Sequence, residues 1–599
     1  MNFTWPIHLA TTLAALCLSA LPAGAGAAIS EAAAAGHLDA ATATAYELME
    51  RVHPENLPAE YRSATPPLPL RCATPLAVAA NEARAFASPD AAGKLATVLQ
   101  RPTKLPFSLV SPQGHFRLHY AVEGREAVDD IDTDSNGVPD YVDLTAAIAD
   151  SVYDLEIGQL GYKVPPVDNG AGGGDEIDIY ILDLGRSQNY GITYPTTTTV
   201  SGPAFFEIDN DFENAIYGQS IACPGETGTR LLDALRVTIA HEFFHVVQFG
   251  YYQGSDGRWW QEASATWMEE VAYPELDDYL QYVCAFLLTP GRSLNSGRPS
   301  SGDLHAYGAS VFAHFLEQRY ERDLIRRIWE EHGRRQNTRL ENFDRAIRTV
   351  DDEGIELAVA DLAIWSYFVG ERHLPEFFAE GKKYPANFVS ALNVVPKTTV
   401  QDSGRIDHMA SEYFRFDSRL LPGGVTIDTE LSRGRWRRQL VLVGSDSLIV
   451  EDVGEEEEIV VTGWDAYDEV LLVLSNVDLV GIGFDYSLSI EYDPELTNAP
   501  TPDRLVLGPT SPNPYHPGPA PVVIPYELDR ASLVTRMSLY SAGGELVRSF
   551  ELGERSPRRH TLHWDGTNQE GTIVASGIYY YVLEADGVAM KRALAVIRD

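Results

Sequence analysis

The most constraining feature of this chain is a His-Glu-x-x-His sequence inside a stretch with helical periodicity. Residues 232–270 read LDALRVTIAHEFFHVVQFGYYQGSDGRWWQEASATWMEE, and the motif is formed by His241, Glu242 and His245. On an α-helix, residues four positions apart lie about one turn apart on the same face, so His241 and His245 present two imidazoles to one point. Two imidazoles at this spacing are typical ligands of Zn²⁺.

Apolar residues in the same stretch recur at three- and four-residue intervals, which predicts an α-helix with one buried side. These residues are Leu232, Leu235, Ile239, Phe243 and Val246. The histidines then lie on a different face. Gly250 follows the periodic run and predicts the end of the helix, and a Gly- and aromatic-rich loop over residues 251–260 leads to a second helix from near Gln261.

A catalytic zinc takes three protein ligands and keeps a fourth position for water, so a third donor is needed. Glu262 is the first choice because it follows His245 by 17 residues, which is enough chain for a loop and the first turn of a returning helix. Glu269 and Glu270 are the alternatives. Glu242 stands at the general-base position of the motif, where it can take a proton from the attacking water. The pattern predicts zinc-dependent hydrolysis.

These residues resemble the zincin metallopeptidases, and the glutamate on a second helix makes the segment similar to their gluzincin branch. A looser similarity to secreted bacterial metalloproteases covers the flanking region. The resemblance implies an α+β zincin domain with His241, His245 and Glu262 as zinc ligands and Glu242 as general base. In many gluzincins a Glu-x-x-x-Asp sequence follows, but Thr266 stands here in place of the aspartate. The residue that orients a ligand histidine is therefore left open.

Residues 1–28 predict a secretory signal peptide. Their apolar core, at residues 9–21, is followed by an Ala-x-Ala pattern near residues 23–27, and the core is too short to span a membrane. No later apolar run approaches the length of a transmembrane helix. We therefore expect a secreted, extracellular or cell-surface bacterial protein with no transmembrane segment once the signal peptide is removed.

The charge balance of the chain is strongly acidic. It has 86 acidic and 46 basic residues, for a formal net charge of −40. Such a surface repels phosphate backbones, which argues against nucleic acid as a partner. The excess of carboxylates would instead keep an exported protein soluble or hold Ca²⁺. The apolar fraction of 44% is sufficient for packed cores.

Three cysteines remain after the signal peptide: Cys72, Cys223 and Cys284. In an oxidising compartment one pair can form a disulfide, which leaves one thiol over. We expect a disulfide that includes Cys72, with Cys223 as its first candidate partner. A latency role for Cys72 is the alternative, because the surrounding PLRCATP resembles the Pro-Arg-Cys-Gly segment of another zincin family, in which a thiolate occupies the zinc site of the proenzyme.

A second metal motif, DTDSNGVPDYVD, begins at Asp132. Oxygen ligands at alternate positions around a tight turn suit Ca²⁺, as in EF-hand loops. The predicted calcium ligands are Asp132, Asp134, Asn136, the carbonyl of Val138, Asp140 and Asp143, with Gly137 supplying the turn. The alternative is an acidic turn that caps a helix running from Asp140 to about Leu155.

Composition and periodicity divide the N-terminal two thirds of the chain. Residues 29–105 form an N-terminal lead or propeptide with one helix at 37–52, and residues 106–396 form the zincin domain. Strands at 176–184 and 204–208 are two candidates for the strand along which an extended substrate pairs, and for each of them an ordinary sheet strand is the alternative. Helical periodicity predicts an α-helical C-terminal subdomain that closes the cleft, with helices at 306–319, 323–331, 342–349 and 356–368.

One residue of the helical subdomain is a candidate for catalysis. The sequence LHAYGAS contains Tyr307, whose phenol can donate a hydrogen bond to the oxyanion that develops when a carbonyl is attacked. His305 is the alternative donor. Together, Glu242 and Tyr307 form the predicted catalytic pair.

The remaining chain is rich in strands. Short alternating runs in residues 397–494 predict a β-sandwich, similar to the sandwich domains that follow many secreted bacterial peptidases. A proline-rich linker follows at 495–512. Residues 513–599 resemble the Ig-like domain of flagellar hook-cap proteins and of type IX secretion sorting domains, with hairpin glycines at Gly566, Gly571 and Gly577. This resemblance implies contact with the cell surface or with secretion machinery.

The sequence thus predicts a secreted zinc endopeptidase that acts on protein or peptide substrates. Two other functions stay open: a zincin-like surface binding or adhesion protein that has lost activity, and a zinc hydrolase of a non-peptide substrate. The presence of both histidines and both glutamates favours activity, and Thr266 is the visible departure from the gluzincin pattern.

Overall fold

The computed structural model of this chain describes residues 25–62, 71–185, 188–213, 223, 231–297, 303–394, 399–417, 421–444, 447–454, 458–497, 505–510, 512–518, 521–528, 532–555, 558–585 and 588–598. The chain forms two compact units, Met1–Asn387 and Phe388–Asp599. Residues 1–24 of the predicted signal peptide lie outside the described residues, as does part of the predicted linker at 495–512.

The N-terminal unit begins with four helices that pack on a sheet. They are α1 (Ala25–Ala34), α2 (Ala40–Val52), α3 (Thr74–Ala83) and α4 (Pro89–Val98). The predicted helix at 37–52 is confirmed as α2, which Asp39 caps by accepting a hydrogen bond from the Thr42 amide at 2.9 Å. The buried faces of these helices share one core with sheet residues that include Tyr180, Ile192 and Phe205. The N-terminal segment therefore packs against the domain that follows it.

The sheet of this unit has five strands in the order β1-β2-β3-β5-β4. The strands are β1 (Phe107–Val110), β2 (Phe116–Tyr120), β3 (Ile177–Leu182), β4 (Gly191–Pro195) and β5 (Ala204–Asp209). The central strands β2, β3 and β5 run parallel, whereas β1 and β4 are antiparallel to their neighbours. Strand β4 therefore ends the sheet on one side.

The prediction that the strand at 176–184 or the strand at 204–208 pairs with an extended substrate was wrong. They correspond to β3 and β5, which have strand neighbours on both sides and so present no free backbone edge. The edge strands are β1 and β4, and β4, which lies next to β5, has the short sequence GITYP with all five residues buried. It therefore lacks the alternation of polar and apolar residues by which a half-exposed strand is recognised.

Further helices cover the sheet and extend the unit. They are α5 (Asp140–Tyr153), α6 (Leu231–Tyr251), α7 (Arg258–Ala272), α8 (Leu280–Leu287), α9 (His305–Gly308), α10 (Ser310–Arg319), α11 (Asp323–Arg335), α12 (Leu340–Ile347) and α13 (Ile355–Tyr367). A π-helical turn, Asp154–Gln159, continues α5. The four helices predicted after residue 305 correspond to α9 through α13, with ends shifted by a few residues. Helix α6 packs on β4 and β5 and against α7.

Helix α6 is apolar on most sides, and this explains its burial within the unit. Leu235, Ile239, Phe243 and Val246 are buried as predicted, but Leu232 is 49% exposed in the first turn. Gly250 lies within the last turn and does not end the helix, which closes at Tyr251. Helix α7 begins at Arg258, earlier than the predicted Gln261.

The C-terminal unit contains two sheets that share one hydrophobic core. A five-stranded sheet has the order β11-β10-β13-β8-β6, and a four-stranded sheet has the order β12-β9-β14-β7. The strands are β6 (Ser390–Asn393), β7 (Thr399–Ile406), β8 (Ala410–Asp417), β9 (Gly424–Leu431), β10 (Trp436–Gly444), β11 (Ser447–Asp452), β12 (Glu458–Val461), β13 (Glu469–Asn476) and β14 (Phe484–Asp493). This is the arrangement of a β-sandwich, and β6 already precedes residue 397, where the sequence placed its start.

A second pair of sheets completes this unit. Its strands are β15 (Leu505–Leu507), β16 (Val522–Leu528), β17 (Ser532–Ser541), β18 (Leu546–Arg555), β19 (Arg558–Trp564), β20 (Gly577–Ala585) and β21 (Val588–Val596), in the orders β15-β16-β19 and β18-β17-β20-β21. Tyr579 and Tyr581 are both buried in one core on β20, while Gly566 and Gly571 adopt φ values of 74° and 78° that favour glycine. Across the described parts of both units, no helix has the length and apolarity to span a membrane.

Candidate metal centre

Four buried side chains converge beside α6: Cys72, His241, His245 and Glu262. Their potential ligand atoms all lie within 4.8 Å of one another. The Nε2 atoms of His241 and His245 are 3.1 Å apart. Glu262 places Oε1 3.3 Å from His245 Nε2 and Oε2 3.6 Å from His241 Nε2. The structure thus brings the three residues proposed as zinc ligands to one point and adds a thiol that was not among them.

The other ring nitrogen of each histidine is held by a hydrogen-bond partner. His241 Nδ1 lies 2.7 Å from Glu269 Oε1, and His245 Nδ1 lies 2.8 Å from Gln248 Oε1. Gln248 is itself fixed because its amide donates to the carbonyl of Gln261 at 3.0 Å. Such contacts fix the orientation of an imidazole and strengthen it as a metal ligand.

Glu269 and Glu270, the two alternatives to Glu262, do not belong to the group formed by Cys72, His241, His245 and Glu262. Glu269 lies two helical turns beyond Glu262 and faces the far side of the His241 ring, whereas Glu270 lies in a separate acidic group with Asp277 and Glu380. Glu269 therefore contacts the His241 ring, the role that an aspartate has in many gluzincins at the position where this chain has Thr266. Within the described chain, the Thr266 hydroxyl has no hydrogen-bond partner.

Sequence reasoning missed Gln248 and the orienting role of Glu269. The positions of Gln248 and Glu269 could have been predicted from the spacing of residues along a helix. Gln248 follows His245 by three residues on α6, and Glu269 follows Glu262 by seven residues on α7, so each lies on the same helix face as the residue it follows.

Glu242 lies on the side of α6 that faces the edge strand β4. Its Oε2 accepts hydrogen bonds from Thr193 Oγ1 at 2.6 Å and from Thr74 Oγ1 at 3.1 Å. The strand approaches so closely that a Cβ atom on Gly191 would lie 2.6 Å from Glu242 Cγ. Glycine at this position therefore allows the carboxylate to lie between the ligand histidines and the strand.

Burial and neighbouring charges shift the pKa values of His241 and Glu262 in opposite directions. Burial alone would lower the pKa of His241, but hydrogen bonds and charges from Glu262 and Glu269 outweigh it and raise the pKa to about 10. Burial would likewise raise the pKa of Glu262, but the imidazoles of His245 and His241 lower it to about 2. The buried carboxylate is therefore held in its charged form.

The donor set fits Zn²⁺. Two imidazole nitrogens, a carboxylate oxygen and a sulfur are all ligand types that zinc takes. Both oxygens of Glu262 are buried, with ring nitrogens of His245 and His241 at 3.3 and 3.6 Å. The neighbouring imidazoles compensate this buried charge in part, and a divalent cation would complete the compensation.

The structure brings Tyr307 to the site but not His305. The Tyr307 hydroxyl donates to the carbonyl oxygen of Cys72 at 3.1 Å, and its ring centroid lies 6.3 Å from that of His241. Burial, together with the nearby Glu262, raises the pKa of Tyr307 well above its ordinary value, so the phenol stays a donor. The ring nitrogens of His305 instead contact the backbone carbonyls of Ser293 and Ala285, at 3.0 and 3.2 Å.

The expected disulfide between Cys72 and Cys223 was wrong. Cys223 pairs with Cys284, and Cys72 is a free, buried thiol. The reason is that the backbone at Cys72 lies along β4, where it pairs with Gly191. This pairing directs the Cys72 side chain to the histidines, with Sγ 3.5 Å from His245 Nε2.

The predicted calcium loop is partly assembled. Asp132, Asp134 and Asp140 place carboxylate oxygens within 4.8 Å of one another. The Asn136 side chain instead donates to Asp143 Oδ2 at 2.8 Å. The N-cap residue of α5 is Pro139, and no side chain forms a capping hydrogen bond there. The alternative prediction, that the acidic turn caps this helix, is therefore wrong.

The last predicted calcium ligand, the Val138 carbonyl, belongs to the same loop. The Val138 amide donates to Asn136 Oδ1 at 2.7 Å, and the Gly137 amide donates to Asp132 Oδ2 at 2.9 Å. Gly137 has a φ of 88°, as the predicted turn requires. Backbone amides thus already bind several of the loop oxygens, and calcium binding stays a prediction.

Comparison with known proteins identifies one part of the chain. Residues 513–587 match the FlgD Ig-like domain family, so the chain contains an Ig-like domain near its C-terminus. No curated protein is similar enough in sequence to count as a match.

Three solved structures resemble parts of the chain. One is PorZ, an essential bacterial surface component of the type IX secretion system of Porphyromonas gingivalis, at 20% identity over 19% of this chain and 14% of that chain, with a TM-score of 0.13. FlgD from P. aeruginosa is 21% identical over 12% of this chain and 56% of that chain, with a TM-score of 0.11. Aminopeptidase A of Legionella pneumophila is 12% identical over 62% of this chain and 35% of that chain, with a TM-score of 0.27. The chain spans less than two thirds of each of these structures.

Proposed function

We propose that the N-terminal unit is a zinc-dependent endopeptidase of zincin type. The observation that carries this proposal is the convergence of His241, His245 and Glu262 on one buried point, with Glu242 next to His241 on the same helix. When bound there, Zn²⁺ would polarise a substrate carbonyl and increase the acidity of a water molecule.

The remaining chemistry belongs to residues of the chain itself. Glu242 would accept a proton from the attacking water and return it to the leaving amine. Tyr307 would donate a hydrogen bond to the oxygen that gains negative charge on the attacked carbonyl. The edge strand β4 lies beside Glu242, and an extended peptide can pair with such an edge through its backbone. This edge favours a peptide over a non-peptide substrate.

A second function is favoured by one observation. Cys72 adds a fourth protein donor to the centre, and closed four-ligand sets are typical of structural zinc sites. In this alternative the unit is an inactive, zincin-like binding or adhesion protein. A zinc hydrolase of a non-peptide substrate is the remaining alternative.

The metal assignment is tested by counting bound zinc. We expect one zinc per chain in the purified full-length protein by native mass spectrometry, and we expect Glu262→Ala to weaken binding by about 10²-fold or more, because it removes a charged ligand from a buried site. Glu270→Ala is the matched control, since Glu270 belongs to a separate acidic group. Equal zinc content in both variants would contradict the assignment.

The endopeptidase assignment is tested on the same protein with a peptide library and casein. Cleavage that requires zinc supports the endopeptidase. Bound zinc without any cleavage, in the wild type and in the Cys72→Ser variant alike, would favour the inactive binding protein.

We further propose that the protein is exported and acts outside the cell or at its surface. The predicted signal peptide and the FlgD Ig-like domain at residues 513–587 support this location. The Ig-like domain is the part that would contact the cell surface or secretion machinery.

Calcium is proposed as a second metal, held by the loop that contains Asp132, Asp134 and Asp140. We expect Ca²⁺ to stabilise the N-terminal unit, by about 2.7 kcal/mol at a concentration one hundred times the dissociation constant. Differential scanning calorimetry with and without a chelator measures the effect as a rise in Tm. Asp134→Asn should remove that rise, while Asp130→Asn, just outside the loop, should keep it. An unchanged Tm in the wild type would exclude calcium.

A further inference from the structure

The thiol of Cys72 is positioned as a ligand of the metal centre. Its Sγ lies 3.5 Å from His245 Nε2 and belongs to the same group of potential ligand atoms as His241 and Glu262. The Thr74 amide donates a hydrogen bond to Sγ at 3.3 Å. The side chain is fully buried and forms no disulfide. The sulfur is therefore held within reach of the same point as the other three side chains.

The backbone around this thiol pairs with the edge of the sheet. The Tyr190 amide donates to the Arg71 carbonyl at 3.0 Å, and the Ala73 amide donates to the Gly191 carbonyl at 3.4 Å. Cys72 and Gly191 form a parallel bridge. An extended substrate that pairs with the start of β4 would need the Gly191 carbonyl, so the segment and a substrate cannot both pair at this residue.

Arg71 anchors this segment through a buried charge network. Its guanidinium is 1% exposed and forms ion pairs with Asp278 and with Glu269, the latter at 3.3 Å. The same group lies 4.6 Å from the ring centroid of Tyr190. Because a buried arginine needs such partners, these contacts fix residue 71 and with it the position of Cys72.

Cys72 and Thr74 contact each group to which we assign a part in catalysis. The Cys72 thiol faces the metal ligands, and the Cys72 carbonyl accepts the hydrogen bond of Tyr307 at 3.1 Å. The Thr74 hydroxyl donates to Glu242 Oε2 at 3.1 Å. The metal site, the proposed oxyanion donor and the proposed general base are thus all in contact with residues 72–74.

We propose that Cys72 is the fourth protein ligand of the zinc site and that residues 71–74 hold the peptidase in a latent, closed form. This inference rests on the proposed peptidase function. Coordination would replace the S–H bond by a bond from sulfur to the ion and release the proton to solvent. Displacement of the segment would free the fourth coordination position, the β4 edge, Glu242 and Tyr307 in one step.

The test uses full-length protein in which Co²⁺ replaces zinc. A cobalt–thiolate bond gives a charge-transfer absorption in the ultraviolet, which we expect in the wild type and not in Cys72→Ser. The visible absorption of four-coordinate cobalt should remain in Cys72→Ser, since His241, His245 and Glu262 are still present. The double variant Cys223→Ser/Cys284→Ser is the matched control, because it removes the other cysteines and should keep the thiolate absorption.

Cleavage of a fluorogenic peptide library by the zinc forms tests latency. If fewer than one molecule in ten is open in the wild type, Cys72→Ser should cleave about tenfold faster or more. Adding Glu242→Gln to Cys72→Ser should remove that cleavage while leaving the cobalt spectrum unchanged.

Each other outcome overturns a defined part of the proposal. A wild-type spectrum without thiolate absorption excludes Cys72 as a ligand, and this measurement needs no variant to fold. Thiolate absorption with equal cleavage by wild type and Cys72→Ser excludes latency but keeps the peptidase. If Cys72→Ser holds cobalt and the zinc form cleaves nothing, both latency and the proposed peptidase function are excluded, and the site is a closed structural centre.

Discussion

Replacing Glu242 by glutamine is expected to reduce peptide cleavage by about 10²- to 10⁴-fold while zinc remains bound. Glutamine keeps the size of the side chain and can still contact Thr193 and Thr74, but its amide cannot accept a proton from the attacking water. The three ligands His241, His245 and Glu262 are untouched. The measurement is the initial rate of fluorogenic peptide hydrolysis in wild-type and Cys72→Ser backgrounds, with zinc content determined on the same samples.

The matched control for this change is Glu341→Gln, which makes the same chemical change on an exposed position of α12. It should leave both rate and zinc content at the wild-type level. Hydrolysis by Glu242→Gln at the wild-type rate, with zinc bound, would contradict the assignment of Glu242 as general base. Loss of zinc in Glu242→Gln would instead place this residue among the groups that hold the metal.

Replacing Arg71 by methionine is expected to destabilise the N-terminal unit by about 3–5 kcal/mol, the usual cost of removing one partner from a buried ion pair. Methionine fills a similar volume, so the loss reports on charge. Glu269 and Asp278 would be left as buried carboxylates without their cation. Urea unfolding followed by tryptophan fluorescence measures the change. Arg405→Met is the matched control, because Arg405 forms an exposed ion pair with Asp485.

The destabilisation by Arg71→Met should depend on pH in a defined direction. Burial raises the pKa of Glu269 to about 7 although Arg71 and His241 lower it, so removal of Arg71 raises it further. A carboxyl group whose pKa is higher in the folded state loses stability as the pH rises through that pKa. The variant should therefore be less destabilised at pH 5 than at pH 8. An equal loss at both values would indicate that packing, and not charge, accounts for the effect.

Helix geometry and a short loop were sufficient to predict that His241, His245 and Glu262 come together. The spacing of His241 and His245 depends only on helix geometry, and Glu262 is reached by a short loop and the first turns of the next helix. Several β-strands of the C-terminal unit could also be predicted, since in strands such as β14, β16 and β20 buried and more exposed side chains alternate. The Ig-like domain had a sequence pattern distinctive enough to indicate its family.

Contacts between residues that are far apart in the sequence could not be predicted from local patterns. The hydrogen bond from the Thr193 amide to Thr74 Oγ1 joins residues 119 positions apart, and the position of Cys72 depends on the same strand pairing. The edge strand β4 was missed because all five of its residues are buried. The cysteine pairing failed for a related reason, since three cysteines allow more than one pairing and only the tertiary fold brings Cys223 to Cys284.

Glu269 contacts both Arg71, which anchors residues 71–74, and His241, one of the proposed metal ligands. One of its oxygens faces His241 Nδ1 and the other faces the Arg71 guanidinium. When Arg71 withdraws, Glu269 can keep its contact with His241 Nδ1, because that contact is made by the other oxygen of the carboxyl group. The orientation of His241 therefore does not depend on the departing segment, so that loss of the sulfur need not empty the site.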